Sequence, residues 1–336
     1  MRDGSLDQLS ESIKMWSAID SEVLLLVVIP GILFRNALNV NFHLFSVALG
    51  QILIFAFPMV LAGTCLTGLV GYYILPYGWS WNLCMTFGSI LAATDPVAVA
   101  ALLGKVGAPP RLMMHISGES MFNDGSAFVF FTIFSGAFLT ELNIEGLGEH
   151  VTAAEGFKKF FRLSLGGMAI GIAFSIGLLS LLFVLDRRLN NENNVIQVAA
   201  TVTTAYLTFY VAEVVCKTSG ILAVVLCGIT TRAFGGGFIS DQQMMEDWWS
   251  LFEHLLNSLV FTLGGLVFGT VISNSGERDE FEIRDWAYMC LLYILIMAIR
   301  FVIVGAFYPI ISRIGLKSNW QEAVFFCFGK LNTCLV

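Results

Sequence analysis

The sequence predicts an all-α polytopic membrane protein, a helical bundle with one helix interrupted near the membrane midplane. Three observations lead there. Hydrophobic residues make up 57% of the 336-residue chain and charged residues only 13%, with a mean hydropathy of +0.78, against roughly 25% charged residues in a soluble domain. The apolar residues lie in runs long enough to cross a bilayer. One of those runs carries Asp95 followed by Pro96. The net charge of -7 comes largely from acidic segments at 141–155 and 277–285, and no basic domain points to nucleic acid as a partner. The partner implied by composition is the lipid bilayer.

Residues 1–20, MRDGSLDQLSESIKMWSAID, are polar and of mixed charge. They lack the basic start and apolar middle of a cleaved signal peptide, and are read as a polar N-terminal tail ahead of a single transmembrane domain, 21–336. A hydrocarbon core about 30 Å thick needs about 20 apolar residues in a helix. By that measure the spans fall at approximately 22–38, 44–75, 81–104, 112–140, 160–186, 193–214, 219–233, 248–273 and 286–311, and a tenth apolar run opens near Glu322. The run SLGGMAIGIAFSIGLLS (164–180) is rich in small residues, which let helix backbones approach closely in lipid. Taken over alternate loops, Lys105, Arg111, Arg187, Arg188, Arg232, Arg313 and Lys317 fall on one side of the membrane. Lys158, Lys159, Arg162, Lys217, Arg278 and Arg284 fall on the other. The small excess makes the first side cytoplasmic by the positive-inside rule. Tandem Trp248 and Trp249, next to Glu246 and Asp247, are expected to mark a membrane interface. The seven cysteines sit singly without C-x-x-C spacing and read as small buried hydrophobes; no cofactor is implied.

The third span, LCMTFGSILAATDPVAVAALLGKV (83–106), breaks the pattern. Asp as N-cap with Pro at the first helical position is a helix start. From Asp95 to Lys105 is about 16 Å of helix, half a bilayer, which puts that start near the midplane. A break of this kind survives only where its unpaired backbone groups line a buried cavity, as in transporters that bind ions at helix ends. Thr94 and Asp95 are therefore candidate ion-site residues, the competing reading being a proline kink in a continuous helix.

The segment GESMFNDG (118–125) holds two carboxylates in an apolar setting. Residues four apart share a helix face, so Ser120 and Asp124 point one way, Glu119 and Asn123 another. Arg300 is the basic residue deep in a later span, and Glu119 with Arg300 is read as a structural ion pair. The span pattern sets no cation against Asp124, and burial raises a carboxylate's pKa toward neutrality. Such a group holds a proton or a small cation, one excluding the other. Oxygens from Asp124, Ser120 and Thr94 suit a hard cation such as Na⁺. Among His43, His115, His150 and His254 there is no metal-ligand spacing, but His115 lies one turn from Glu119 and could tune a pH response.

These residues resemble those of the monovalent cation:proton antiporter family, in its sodium/proton exchanger branch. The matching pieces are IPGILFRNAL (29–38), ATDPVAV (93–99), RLMMHISGESMFNDG (111–125), SGILAVVLCGI (219–229), NSLVFTLGGLVFG (257–269) and Arg300, in family order. The resemblance implies an inverted-repeat bundle with two crossed broken helices, a homodimer, and an elevator-like core moving against a dimerisation domain. It also implies a non-enzymatic, electroneutral exchange of a monovalent cation for a proton by alternating access, serving pH and Na⁺ homeostasis. Asp124 would be the ion carrier with Asn123 beside it. Ser120, Thr94 and Asp95 fall on the family's site positions, and Glu119 and Arg300 on its ion pair. The expected location is the plasma membrane rather than an organelle membrane.

Three departures accompany the resemblance. Arg35 stands where the family usually has an acidic residue, and is expected to weaken or alter cation binding. One or two N-terminal helices are missing. After Cys327, Phe328 and Gly329 the family continues with a Gly-Leu-Arg-Gly type stretch, whereas this chain reads GKLNTCLV. The expectation is a chain truncated at both ends, its second broken helix incomplete. Two alternatives stand beside exchange: a non-transporting form that pairs with and regulates full-length exchanger, and an intramembrane aspartyl protease using Asp95 and Asp124.

Overall fold

The structure, a computed structural model, describes residues 11–12, 15–16, 19–93, 105, 107, 109–142, 153–188, 194–278 and 283–314. Nine helices of twelve or more residues occur among them, and no strand. They are α1 (Ser21–Leu38), α2 (Phe42–Tyr73), α3 (Trp81–Ala92), α4 (Pro110–Glu141), α5 (Ala153–Arg188), α6 (Asn194–Val215), α7 (Gly220–Gly235), α8 (Gln242–Arg278) and α9 (Ile283–Ile311). Six of the nine (α2, α4, α5, α6, α8 and α9) are long and apolar enough to cross a membrane. The expected Asp95–Pro96 helix start and the apolar run after Glu322 lie outside the described residues.

Side chains at the starts of the helices explain several boundaries. Asp20, Asn41, Ser80 and Ser219 each accept a backbone N–H of the first turn that follows, at 3.0 to 3.3 Å, satisfying donors the helix itself cannot. Two helices carry a π turn. In α2 it spans Phe55–Met59 and contains Pro58, which has no N–H to give to the helix ladder. In α6 it spans Val211–Val215 and ends the helix.

The helices pack in two groups. In one, α3 lies against α2 and α4, α4 against α2, and α9 against α2. In the other, α7 is the hub, touching α5, α1 and α6, with α8 resting on α1 and α6. The groups meet mainly through α4, which also contacts α5, α7 and α1. Helices α8 and α9 are peripheral: only 11% of the apolar window of each is buried, so most of their apolar surface faces outward.

The small residues of α5 make the α5–α7 crossing possible. A methyl group at Gly167 would overlap the Ser219 carbonyl, and one at Gly171 the Ala223 carbonyl. Both obstacles are backbone, which cannot swing aside. Gly167 and Gly171 are four apart and share a face, the small-xxx-small arrangement that holds helices together in lipid.

The tandem tryptophans differ in burial. Trp249 is fully buried: it packs on Phe34 with ring centroids 5.0 Å apart and donates its Nε1–H to Thr201 Oγ1 at 3.1 Å. Trp248, half-buried, stacks on Phe252 at 4.9 Å. Adjacent residues on a helix point about 100° apart, so one ring enters the bundle while its neighbour stays at the edge.

Candidate functional site

Helix α3 is short for a membrane span. Its twelve residues, capped by Ser80, end at Ala92, and Ala93 is extended with φ -70° and ψ 121°. Twelve residues rise about 18 Å, roughly half a bilayer. The helix therefore ends, with Ala93 extended, about half a bilayer from its start. The last carbonyls of a helix lack intrahelical partners and carry partial negative charge. One of them, Ala92 O, accepts from Asn123 Nδ2 at 3.4 Å. Asn123 is 2% exposed, and its amide is held at this helix end by the middle of α4.

One turn earlier on the same face of α4 is Glu119, also buried. Its Oε1 lies 3.4 Å from Arg300 Nη2 on α9. Glu119, Asn123, Ala92 and Arg300 line one cavity of about 70 Å³, together with Thr67 and the π turn of α2 at Phe55 and Met59. The π turn is itself fastened here. Ser126 Oγ donates to Ala56 O within the turn and also meets Asn123 O at 3.0 Å.

Ser120 is buried and Asp124 half-buried. As residues four apart they share a face, about 100° round from the Glu119 and Asn123 face. Asp124 interacts with neighbouring groups. His115, one turn before Glu119, is buried and also engaged. The structure thus brings Asn123 to the end of α3 and Glu119 to Arg300, with Ser120 and Asp124 on the adjoining face. Thr94 and Asp95 lie outside the described residues.

Arg35 does not line this cavity. It sits at the far end of α1, where Nε is 3.7 Å from Glu253 Oε2 and Nη1 donates to Asn39 Oδ1. Arg232 and Glu246, 3.8 Å apart, adjoin it in a small pocket between α1, α7 and α8. Its charge is matched locally in that cluster.

Sequence reasoning passed over two residues. Ser126 was signalled only by following Asn123–Gly125 directly. Glu213, in YVAEVVC, is an acidic residue in an apolar run, the kind of signal that marks intramembrane function or pairing. In the structure its Oε2 accepts from Gly220 N at 2.8 Å, placing a carboxylate at the N-terminus of α7, where the helix dipole favours negative charge.

Chemically, the region around the end of α3 gathers a helix-end carbonyl, a primary amide, hydroxyls and carboxylates inside an apolar bundle. Such groups can bind a proton or a hard cation through oxygen.

The family model described as "Sodium/hydrogen exchanger, transmembrane" matches residues 6–336. Sodium/hydrogen exchanger 7 of Arabidopsis thaliana is 32% identical over 330 residues, covering 97% of this chain and 28% of that protein. The Na(+)/H(+) antiporter NhaP of Pseudomonas aeruginosa is 32% identical over 253 residues, covering 73% of this chain and 56% of that protein. The chain thus spans 28% to 56% of the length of these relatives. Among solved structures, the sodium proton antiporter MjNhaP1 from Methanocaldococcus jannaschii superposes with a TM-score of 0.68 at 17% identity, covering 92% of this chain and 71% of that one. That match shows a shared helical-bundle fold.

Proposed function

Because the chain belongs to the sodium/hydrogen exchanger family, we propose that it exchanges a monovalent cation, Na⁺, for a proton across a membrane, using α3 and α4 as the ion site. The observation that carries this reading is the end of α3 inside the bundle, at Ala92, with the Asn123 amide on its carbonyl and Asp124 next along α4. In this reading Asp124 alternates between a proton and Na⁺. Ser120, Thr94 and Asp95 complete the oxygen shell, and Asn123 positions the helix end. Glu119 and Arg300 form the structural pair that holds α4 to α9. One negative group trading one proton for one Na⁺ moves no net charge, so exchange is electroneutral.

The two packing groups support alternating access. Helices α2, α3, α4 and α9 would move as a core against α1 and α5–α8, with α4 as the sliding contact. The second group would carry the homodimer interface. The residues from 21 on act as one transporting domain, in the plasma membrane, for pH and Na⁺ homeostasis. The transported ions are its only small-molecule requirement.

The test is Na⁺-dependent proton flux in proteoliposomes with a pH-sensitive dye inside. Asp124→Asn, nearly isosteric, is expected to abolish the flux while eluting as wild type on size exclusion. Flux undiminished in this variant would overturn the assignment. A voltage-sensitive dye should report no potential during wild-type exchange.

A further inference from the structure

A cavity of about 500 Å³ opens at the other end of α3, away from the site above. That volume falls within the range of small-ligand pockets, about 300–1,000 Å³. It lies where the loop between α2 and α3 meets the end of α8 and the start of α9, and so it spans the two packing groups. Its walls are aromatic. Tyr77 stacks on Trp79 at 5.4 Å and meets Tyr288 edge-on at 6.3 Å, Trp79 meets Phe87 at 5.1 Å, and Trp286 completes the ring. One carboxylate, Asp285, sits among them and accepts the Tyr77 hydroxyl at 2.7 Å. On the α8 side the described lining residues are Phe268, Val271 and Ile272, all exposed.

Aromatic faces beside a carboxylate select for cations of a particular kind. Ring faces attract positive charge, most strongly when the cation is weakly hydrated. A primary ammonium brings three N–H donors that all need acceptors. A quaternary ammonium has no N–H to satisfy, and its methyl groups suit ring faces. The exposed apolar side of α8 then provides for an attached chain. We propose that this cleft binds the choline headgroup of a bilayer phospholipid, with the ammonium among Tyr77, Trp79, Trp286 and Asp285 and an acyl chain along α8. A lipid held there bridges the α3–α9 side to α8, so its occupancy would bear on how the two helix groups move.

Native mass spectrometry of the full chain from micelles doped with equal phosphatidylcholine, phosphatidylethanolamine and phosphatidylglycerol tests this. Phosphatidylcholine is expected to be retained preferentially, and Asp285→Asn to lower that retention about tenfold by removing a formal charge opposite the ammonium. Trp286→Leu, at a position 47% exposed, is expected to lower it several-fold without disturbing the fold, and it decides the matter should Asp285→Asn not elute as a folded species. Equal retention of phosphatidylcholine and phosphatidylethanolamine would overturn the proposal. So would unchanged retention in Trp286→Leu, or binding of tetramethylammonium with no preference for the choline lipid.

Discussion

Removing Arg300 should destabilise the protein more than neutralising Glu119, and removing both should cost less than removing Arg300 alone. The two groups lie 3.4 Å apart, with Glu119 7% and Arg300 21% exposed at the side chain. At an effective dielectric of 20 the gross attraction is about 5 kcal/mol, most of it offset by the cost of withdrawing both charges from water. Arg300→Met leaves a carboxylate buried without this counter-charge, a loss of about 3 kcal/mol. Glu119→Gln leaves a guanidinium that is three times more exposed and can recover hydration, a loss of about 1–2 kcal/mol. The double variant buries neither charge, and should be about as stable as Glu119→Gln, giving a coupling of about 3 kcal/mol. Thermal unfolding in one fixed detergent and lipid mixture, followed by tryptophan emission, reads all four proteins. Additive losses would refute the reasoning, because they would mean that the pair does not interact across the α4–α9 contact. A larger loss in Glu119→Gln than in Arg300→Met would refute the burial argument specifically.

At the α5–α7 crossing, Gly171→Ala places a methyl group against the Ala223 carbonyl and should cost about 1–3 kcal/mol by overpacking. Gly177→Ala, where a methyl meets nothing within 4 Å, is the control and should melt as wild type. In the α2–α3 loop, the hydrogen bond to Asp285 raises the pKa of Tyr77 above its ordinary value, with burial and the Asp285 charge adding to it. The folded state therefore keeps this proton longer than the unfolded chain does. The resulting stabilisation is complete below the unfolded tyrosine value near 10 and is lost as pH rises through the higher folded value. Melting temperatures between pH 8 and 11 should accordingly fall less steeply in Tyr77→Phe than in wild type; identical slopes would count against the hydrogen bond.

Much of the site's layout was legible because helix geometry is local. The four-residue spacing alone put Glu119 with Asn123 and Ser120 with Asp124 on separate faces, and Arg300 was the charge deep in a later span. Periodicity cannot say which face meets which neighbour. That Asn123 reaches the end of α3 follows from how α4 is rotated against α3. The same limit explains Trp249, whose burial depends on the side of α8 that rests on α1 and α6. Glu213 escaped notice because its partner, Gly220 N, is brought near by the π turn and the reversal at Lys217, where φ is +53°.

The sequence by itself determined the membrane class, the nine helical segments, the small-residue helix contact and the chemistry concentrated in GESMFNDG. Those properties rest on hydropathy over about 20 residues and on contacts between near neighbours in the chain. Only the tertiary structure decided the division into two helix groups joined through α4, the fastening of the α2 π turn by Ser126, the local matching of Arg35 by Glu253, and the aromatic cleft around Asp285. Each of these joins residues dozens to hundreds of positions apart, and which faces meet there is set by packing the whole bundle at once.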